Sequence, residues 1–208
     1  MIEEEIALAL LESGAVKLRP EEPFKWASGW NSPIYCDNRL TLSFPAIRSK
    51  IKNALVAAVK EQFSEVEAIA GVATAGIPQG TLIAEVLNLP FLYVRPKPKD
   101  HGLENLIEGK ITPGQKVVVV EDLISTGGSS LKAVEALKDN GANVLGMVAI
   151  FTYGFAVAQD NFSKAKVKLS VLSNYEALLA AALKNNIVAE KDLETLKEWR
   201  KDPGAWKK

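Results

Sequence analysis

The sequence has one cysteine, Cys36, and one histidine, His101. A lone thiol forms no internal disulfide, which fits a reducing cytoplasm. The same scarcity leaves no Cys/His set for a tetrahedral zinc site. A Ser-His-Asp triad would have only His101 to use, and no GxSxG elbow accompanies it. Neither charge is in excess: 25 Lys and Arg face 25 Asp and Glu. A general nucleic-acid binder carries a basic balance and an acidic disordered chain the reverse, so neither class fits. Long apolar runs are missing as well. The longest uncharged stretch, 140–159, is broken by Gly141, Gly146, Thr152 and Gly154, whereas a membrane helix needs about 20 mostly apolar residues. It reads as a buried strand followed by a loop, so no membrane partner is expected. The start, Met1-Ile2-Glu3-Glu4-Glu5, lacks the positive region of a secretory signal.

What is present is ordinary globular material: 208 residues, 48% hydrophobic and 24% charged. No linker divides the chain, so one domain is expected. A chain this long buries roughly 70% of its unfolded surface and folds without a disulfide or structural metal.

Residues 2–13 read as a helix with acids in its first turn, an apolar stripe through Ile2, Ile6, Ala9 and Leu10, and Gly14 beyond its end. Short strands are expected at Val16–Leu18 and Ile34–Cys36. Pro45 opens a helix over 45–59 whose apolar face carries Ile47, Ile51 and Leu55. A regular alternation follows. Strands are expected at 68–73, 91–94, 117–120, 144–150 and 167–172, and helices at 78–87, 129–140, 175–184 and 190–200. Apolar strands alternating with amphipathic helices predict an α/β fold with a largely parallel sheet covered on both faces. In such sheets ligands bind beyond the carboxyl ends of the strands.

Three loops leave strands at that edge. The third reads Glu121-Asp122-Leu123-Ile124-Ser125-Thr126-Gly127-Gly128 and then opens a helix. Free N–H groups at a helix start bind phosphate, and glycines permit close approach. No GK[ST] follows, so this is not a P-loop. Two acids beside an anion cradle suit a ligand with both a phosphate and a diol, and carboxylates hold Mg²⁺ through water. The plainer reading is an acidic first helical turn after a buried strand. The second loop, from Arg95 to about Thr112, puts Arg95, Lys97, Lys99 and His101 within seven residues. A loop this long in a compact domain reads as a lid, and its cations suit a pyrophosphate leaving group. Alone it is equally a solvated basic loop. The first loop, Thr74-Ala75-Gly76-Ile77, either exposes N–H groups to a pyrophosphate or packs strand against helix. The segment 24–39 is rich in aromatics and turn formers that would sandwich a flat heterocycle, or simply pack as a small β subdomain. Cys36 reads as a small buried filler rather than a nucleophile.

Together these residues resemble a known family. Val117–Gly128 is similar to the phosphoribosyl-pyrophosphate (PRPP) signature of type I phosphoribosyltransferases. SGWNSPIYCDNR and RPKPKDHG together resemble the orotate phosphoribosyltransferases, over about Phe24 to Tyr175. The resemblance implies a type I phosphoribosyltransferase-like fold: a mostly parallel sheet flanked by helices, with a hood over about 1–40, a PRPP-binding core over about 45–175, and C-terminal helices over 175–208. It implies orotate plus PRPP giving orotidine 5′-monophosphate and pyrophosphate with Mg²⁺, in pyrimidine biosynthesis. It also implies a homodimer whose 95–112 loop acts in the neighbouring site.

Position by position, the resemblance assigns catalysis to Lys99, His101 and Asp122. Arg95, Lys99 and His101 fall on the basic loop that meets pyrophosphate. Glu121, Asp122, Leu123, Ile124, Ser125, Thr126, Gly127, Gly128 and Ser129 fall on the PRPP loop, with Glu121 and Asp122 at the ribose diol and Mg²⁺ side. Residues 125–129 lie around the 5′-phosphate. Tyr35, Cys36 and Ser125 fall on the orotate pocket. The chain departs from many members at Ala27, Thr74-Ala75 and Pro96, and has no arginine around 152–154; Lys25 and Lys97 stand close to two of these gaps, Ala27 and Pro96. A purine or uracil phosphoribosyltransferase, and a regulatory PRPP-binding module, are the competing readings. The retained Lys99/His101 loop speaks against the module. The neutral total then resolves into separated charges. Six acids and two bases occupy 1–22, while three cations and a histidine occupy 95–101.

Overall fold

The computed structural model describes residues 1–26, 29–97 and 106–207. Helix α1 (Ile2–Glu12) begins with Glu3, Glu4 and Glu5 against its positive end. Gly14 then reverses the chain at φ +70°, a left-handed value suited to glycine. Strand β1 (Val16–Leu18) leads to a hairpin of β2 (Phe24–Lys25) and β3 (Asn31–Ser32), and β4 (Ile34–Cys36) returns antiparallel to β1. These short strands form the small N-terminal layer. The Asp37 carboxylate caps the 3₁₀ turn that follows by accepting the Arg39 N–H at 3.2 Å. Helix α2 (Pro45–Gln62) takes Pro45 in its first turn, where a missing N–H costs nothing.

The main layer is built from β5 (Ala68–Val72), α3 (Gly76–Leu87), β6 (Phe91–Val94), β7 (Ile107–Glu108), β8 (Lys116–Ile124), α4 (Gly128–Asp139), β9 (Asn143–Thr152), α5 (Ala156–Lys164) and β10 (Leu169–Asn174). Helices α6 (Tyr175–Lys184) and α7 (Leu193–Lys201) complete the fold. Strands pair in the order β10-β9-β8-β5-β6-β7, all parallel except β7 on β6. The α/β fold with a mostly parallel, helix-flanked sheet is therefore as expected.

Alternation along β8 divides the core in two. Val118 and Val120 join the face packed by α1, α2, α3 and α6, while Val117 and Val119 join the face packed by α4 and α5. All four are fully buried, and each such burial contributes roughly 1.5–3 kcal/mol.

Several element ends shift by a few residues, and three differences from the sequence reading bear on the site. β8 does not stop before the acids. It continues to Ile124 because the ladder to β9 persists through Leu123 opposite Phe151 and Ile124 opposite Thr152. The expected loop after β9 contains α5, which turns Ala158 and Phe162 inward at a spacing of four residues. The long basic loop is shortened by β7, which pairs Ile107 with Val94.

Candidate active site

β5 leads through α3 to β6 on one side, whereas β8 leads through α4 to β9 on the other. The crevice at the carboxyl ends of β5 and β8 is thus the topological switch point, where open parallel sheets take their ligands. The first and third loops border it directly. Arg95, just after β6, lies two strand spacings from β8, about 10 Å.

Glu121 is 7% exposed. Its Oε2 accepts the Ser130 hydroxyl at 3.0 Å and its Oε1 accepts the Asp122 N–H at 3.0 Å. Burial, and then the neighbouring Asp122 carboxylate, push the Glu121 carboxyl up to about 8. Burial also raises Asp122, while the bond to Glu121 draws it back. Among the described residues Arg39 is the cation that acts on this pair, through Asp122, and a bound cation or diol would be stabilised there.

Beyond Ile124 the chain turns into α4 at Gly127, with φ +78°. A Cβ there would come 2.7 Å from Cε2 of Phe162, so α5 requires glycine at this point. The turn is held from behind. The Thr126 carbonyl accepts Nδ2 of Asn161 at 3.0 Å, and the Ile124 carbonyl accepts the Thr152 hydroxyl at 3.1 Å and the Tyr153 N–H at 3.2 Å. No side chain caps α4. Its first N–H groups are left for a ligand, beside half-buried Ser125 and exposed Thr126, Gly128 and Ser129.

For the first loop, packing alone accounts for the glycines. A Cβ on Gly76 would meet the Val120 carbonyl oxygen at 2.3 Å, and one on Gly71 the Gly76 oxygen at 2.8 Å. Thr74 is exposed at the mouth.

The N-terminal layer reaches the acid pair through Asn38, a residue whose spacing gives no hint of this role. Its Nδ2 donates to the Asp122 carbonyl at 2.8 Å, its Oδ1 accepts from Cys36 Sγ at 3.4 Å, and it is 1% exposed. Burial first, then the Asp122 charge, raise the Cys36 thiol well above its ordinary value. That favours the filler reading over a nucleophile. Tyr35 is exposed and leans on Phe24 at 5.6 Å between centroids. Tyr153, behind this pocket, joins Trp26, Phe155 and Trp199 in a cluster of rings.

In the basic loop, Arg95 N–H donates to the Leu106 carbonyl at 2.8 Å and its guanidinium meets Glu108 at 3.4 Å. Lys97 and Lys25 are exposed. Lys99, His101 and Ala27 lie outside the described residues. Thus the third-loop residues and Cys36 are gathered at one crevice through Asn38, with Arg95 at its edge, while Tyr35 stands next to Cys36 on the exposed face of β4. Among the described residues no group of three metal-ligating side chains occurs. The acid pair alone suits Mg²⁺ held largely by substrate oxygens and waters. A cavity of about 500 Å³ lies between α6 and α7, lined by Tyr175, Leu179, Leu193 and Arg200. None of its lining residues belongs to the three loops, so it is not read as the active site.

Comparison with known proteins completes the picture. The phosphoribosyl transferase domain model matches residues 42–183. The orotate phosphoribosyltransferase of Cytophaga hutchinsonii is 66% identical over 204 residues, 98% of each chain. That of Bacteroides fragilis is 61% identical over 205 residues, 99% of this chain and 97% of the relative. The crystal structure of the Aeropyrum pernix orotate phosphoribosyltransferase superposes with a TM-score of 0.76 at 30% identity, covering 88% of this chain and 99% of that one.

Proposed function

This chain belongs to the phosphoribosyl transferase family and, by whole-length identities of 56–66%, to its orotate phosphoribosyltransferases, and from that premise we propose how its residues divide the work. The reaction transfers the 5-phosphoribosyl group of PRPP to orotate, giving orotidine 5′-monophosphate and pyrophosphate. The single observation that carries the assignment of roles is the acid pair Glu121–Asp122 set beside the uncapped start of α4 at the switch point.

The N–H groups of 125–129 and the hydroxyls of Ser125, Thr126 and Ser129 bind the 5′-phosphate. Glu121 and Asp122 accept from the ribose hydroxyls. Both are the residues that would hold Mg²⁺ through waters; when bound, the ion neutralises pyrophosphate charge. Tyr35, Cys36 and Ser125 border orotate. The layer formed by residues 1–40 acts as the hood, 45–175 as the PRPP-binding core, and 175–208 as its C-terminal support.

The C1–O bond to pyrophosphate breaks toward an oxocarbenium-like state as an orotate ring nitrogen forms the new bond at C1. Catalysis is mostly positioning and charge stabilisation. Arg95 and Lys99 neutralise the leaving group, and His101 donates a proton or hydrogen bond to a departing oxygen. Closure of the 95–112 loop excludes the water that would otherwise hydrolyse PRPP. The loop acts across a homodimer, in the partner's site. The single thiol fits a cytoplasmic enzyme, and no described helix is long and apolar enough to cross a membrane.

The test is the loss of orotate absorbance on adding PRPP. Consumption with Mg²⁺ and none without it is the expected result. No consumption under either condition would overturn the assignment.

A further inference from the structure

Trp199 is the largest fully buried side chain of the protein's described residues, and it lies on α7, far along the chain from every loop of the site. Four other rings converge on it. Trp26 meets it edge-on at 5.6 Å, Tyr153 edge-on at 5.6 Å, Phe155 at 5.5 Å and Tyr175 at 5.4 Å. Two of these rings belong to the walls of the crevice. Trp26 sits at the end of the β2–β3 hairpin in the hood, with its Nε1 donating to the Ile34 carbonyl at 3.1 Å, one residue before Tyr35. Tyr153 follows β9, and its N–H holds the Ile124 carbonyl at the entrance to the third loop. Trp26 and Tyr153 also touch one another at 5.5 Å. Trp199 therefore touches one ring from the hairpin and one from the segment that holds the third loop.

The chain beyond α7 adds a second set of contacts to the same hairpin. Asn31 Nδ2 donates to the Lys207 carbonyl, and Lys207 Nζ donates to the Pro20 carbonyl at 2.8 Å. The Trp30 ring lies so close to Gly204 that a Cβ there would be 3.3 Å from it. The exposed Lys191–Glu21 pair at 2.9 Å ties the turn before α7 to the stretch before β2, though such a pair adds little by itself.

We propose that Trp199, together with the 204–207 turn, is a positioning element for the base: it fixes the hood hairpin at the height that orotate requires and leaves the PRPP half of the site untouched. This rests on the hood-and-core reading given above. The chemistry of the Trp199 contact is shape rather than hydrogen bonding. Trp199 Nε1 is buried and has no hydrogen-bond partner among the described residues, so a phenyl ring loses no bond to them, whereas a methyl group opens a gap between the two walls.

The experiment measures KM for orotate and for PRPP separately, with kcat, in the full-length protein. Trp199→Ala should raise the orotate KM about tenfold or more while the PRPP KM stays within about twofold, because the third-loop wall stays tied to β9 by its ladder and by the Thr152 hydroxyl, which leaves the hairpin as the wall that moves. Trp199→Phe should restore most of the loss. Gly204→Leu disturbs the hairpin from the surface without opening the core, and should raise the orotate KM in the same selective way. It decides the matter if Trp199→Ala does not fold. An unchanged orotate KM in folded Trp199→Ala or in Gly204→Leu, or equal losses for both substrates, would overturn the proposal. Wild-type protein that consumes no orotate would instead overturn the functional reading, a distinct outcome.

Discussion

The surroundings of Glu121 favour its protonated form, through burial first and the Asp122 charge second. Its carboxyl sits near 8 in the fold against an ordinary 4.5, so the folded chain keeps a proton that the unfolded chain releases. Stability from this group is complete below the unfolded value and drains away as pH rises toward the folded one. The ligand-free protein should therefore lose urea resistance between about pH 5 and about pH 8.5, and Glu121→Gln, which keeps the acceptor for Ser130, should lose less. A steeper decline in the variant would contradict this. The acid pair and its neighbouring glycines are legible in the sequence by spacing. The Ser130 hydroxyl bond and the Asn38 bridge are not, because each depends on how a strand returns against a helix or on contact between segments 84 residues apart.

At the level of elements, strong periodicity gave correct bounds where burial is one-sided, as at Phe91–Val94 and Tyr175–Lys184. It failed where the local signal is weak. Helix α5 begins at Ala156 after Phe155, with no side-chain cap to announce it. Strand β7 is two residues long. The acids of β8 look like a loop start but stay in the ladder. Helix α5 has a role at the site, since Phe162 fills the space a Cβ on Gly127 would need. Gly127→Ala combines that clash with a left-handed backbone, costing about 1–2 kcal/mol for the backbone alone. Thermal unfolding should fall by roughly 2–8 °C for that cost in a chain of this size. PRPP affinity should fall about tenfold or more, because the N–H cradle shifts. Unaltered PRPP titration would count against the cradle.

For the molecule as a whole, the proposed dimer makes a sharp forecast. If the basic loop serves the partner's site, Lys99→Ala and Asp122→Asn proteins are each nearly inactive, yet a mixed dimer holds one site with both residues intact. Random exchange of subunits should then restore about a quarter of wild-type turnover. Failure of exchanged mixtures to recover activity would place both residues on one subunit's own site. The overall α/β architecture was readable because alternating apolar strands and helices admit few topologies. The order of the hood against the C-terminal turn was not, since nothing local links Asn31 to Lys207.

The ring cluster and its neighbouring turn have an optical consequence. The chain has four tryptophans, and all of them, Trp26, Trp30, Trp199 and Trp206, belong to the hood hairpin or to the C-terminal segment packed near it. Indole emission depends on the polarity around the ring, so the native fluorescence of this protein originates from one corner of it. The central sheet is dark by comparison and is followed by far-ultraviolet circular dichroism. Heating the protein while recording both signals separates detachment of the hood from melting of the sheet. Coincident transitions would mean that the two layers unfold as one cooperative unit.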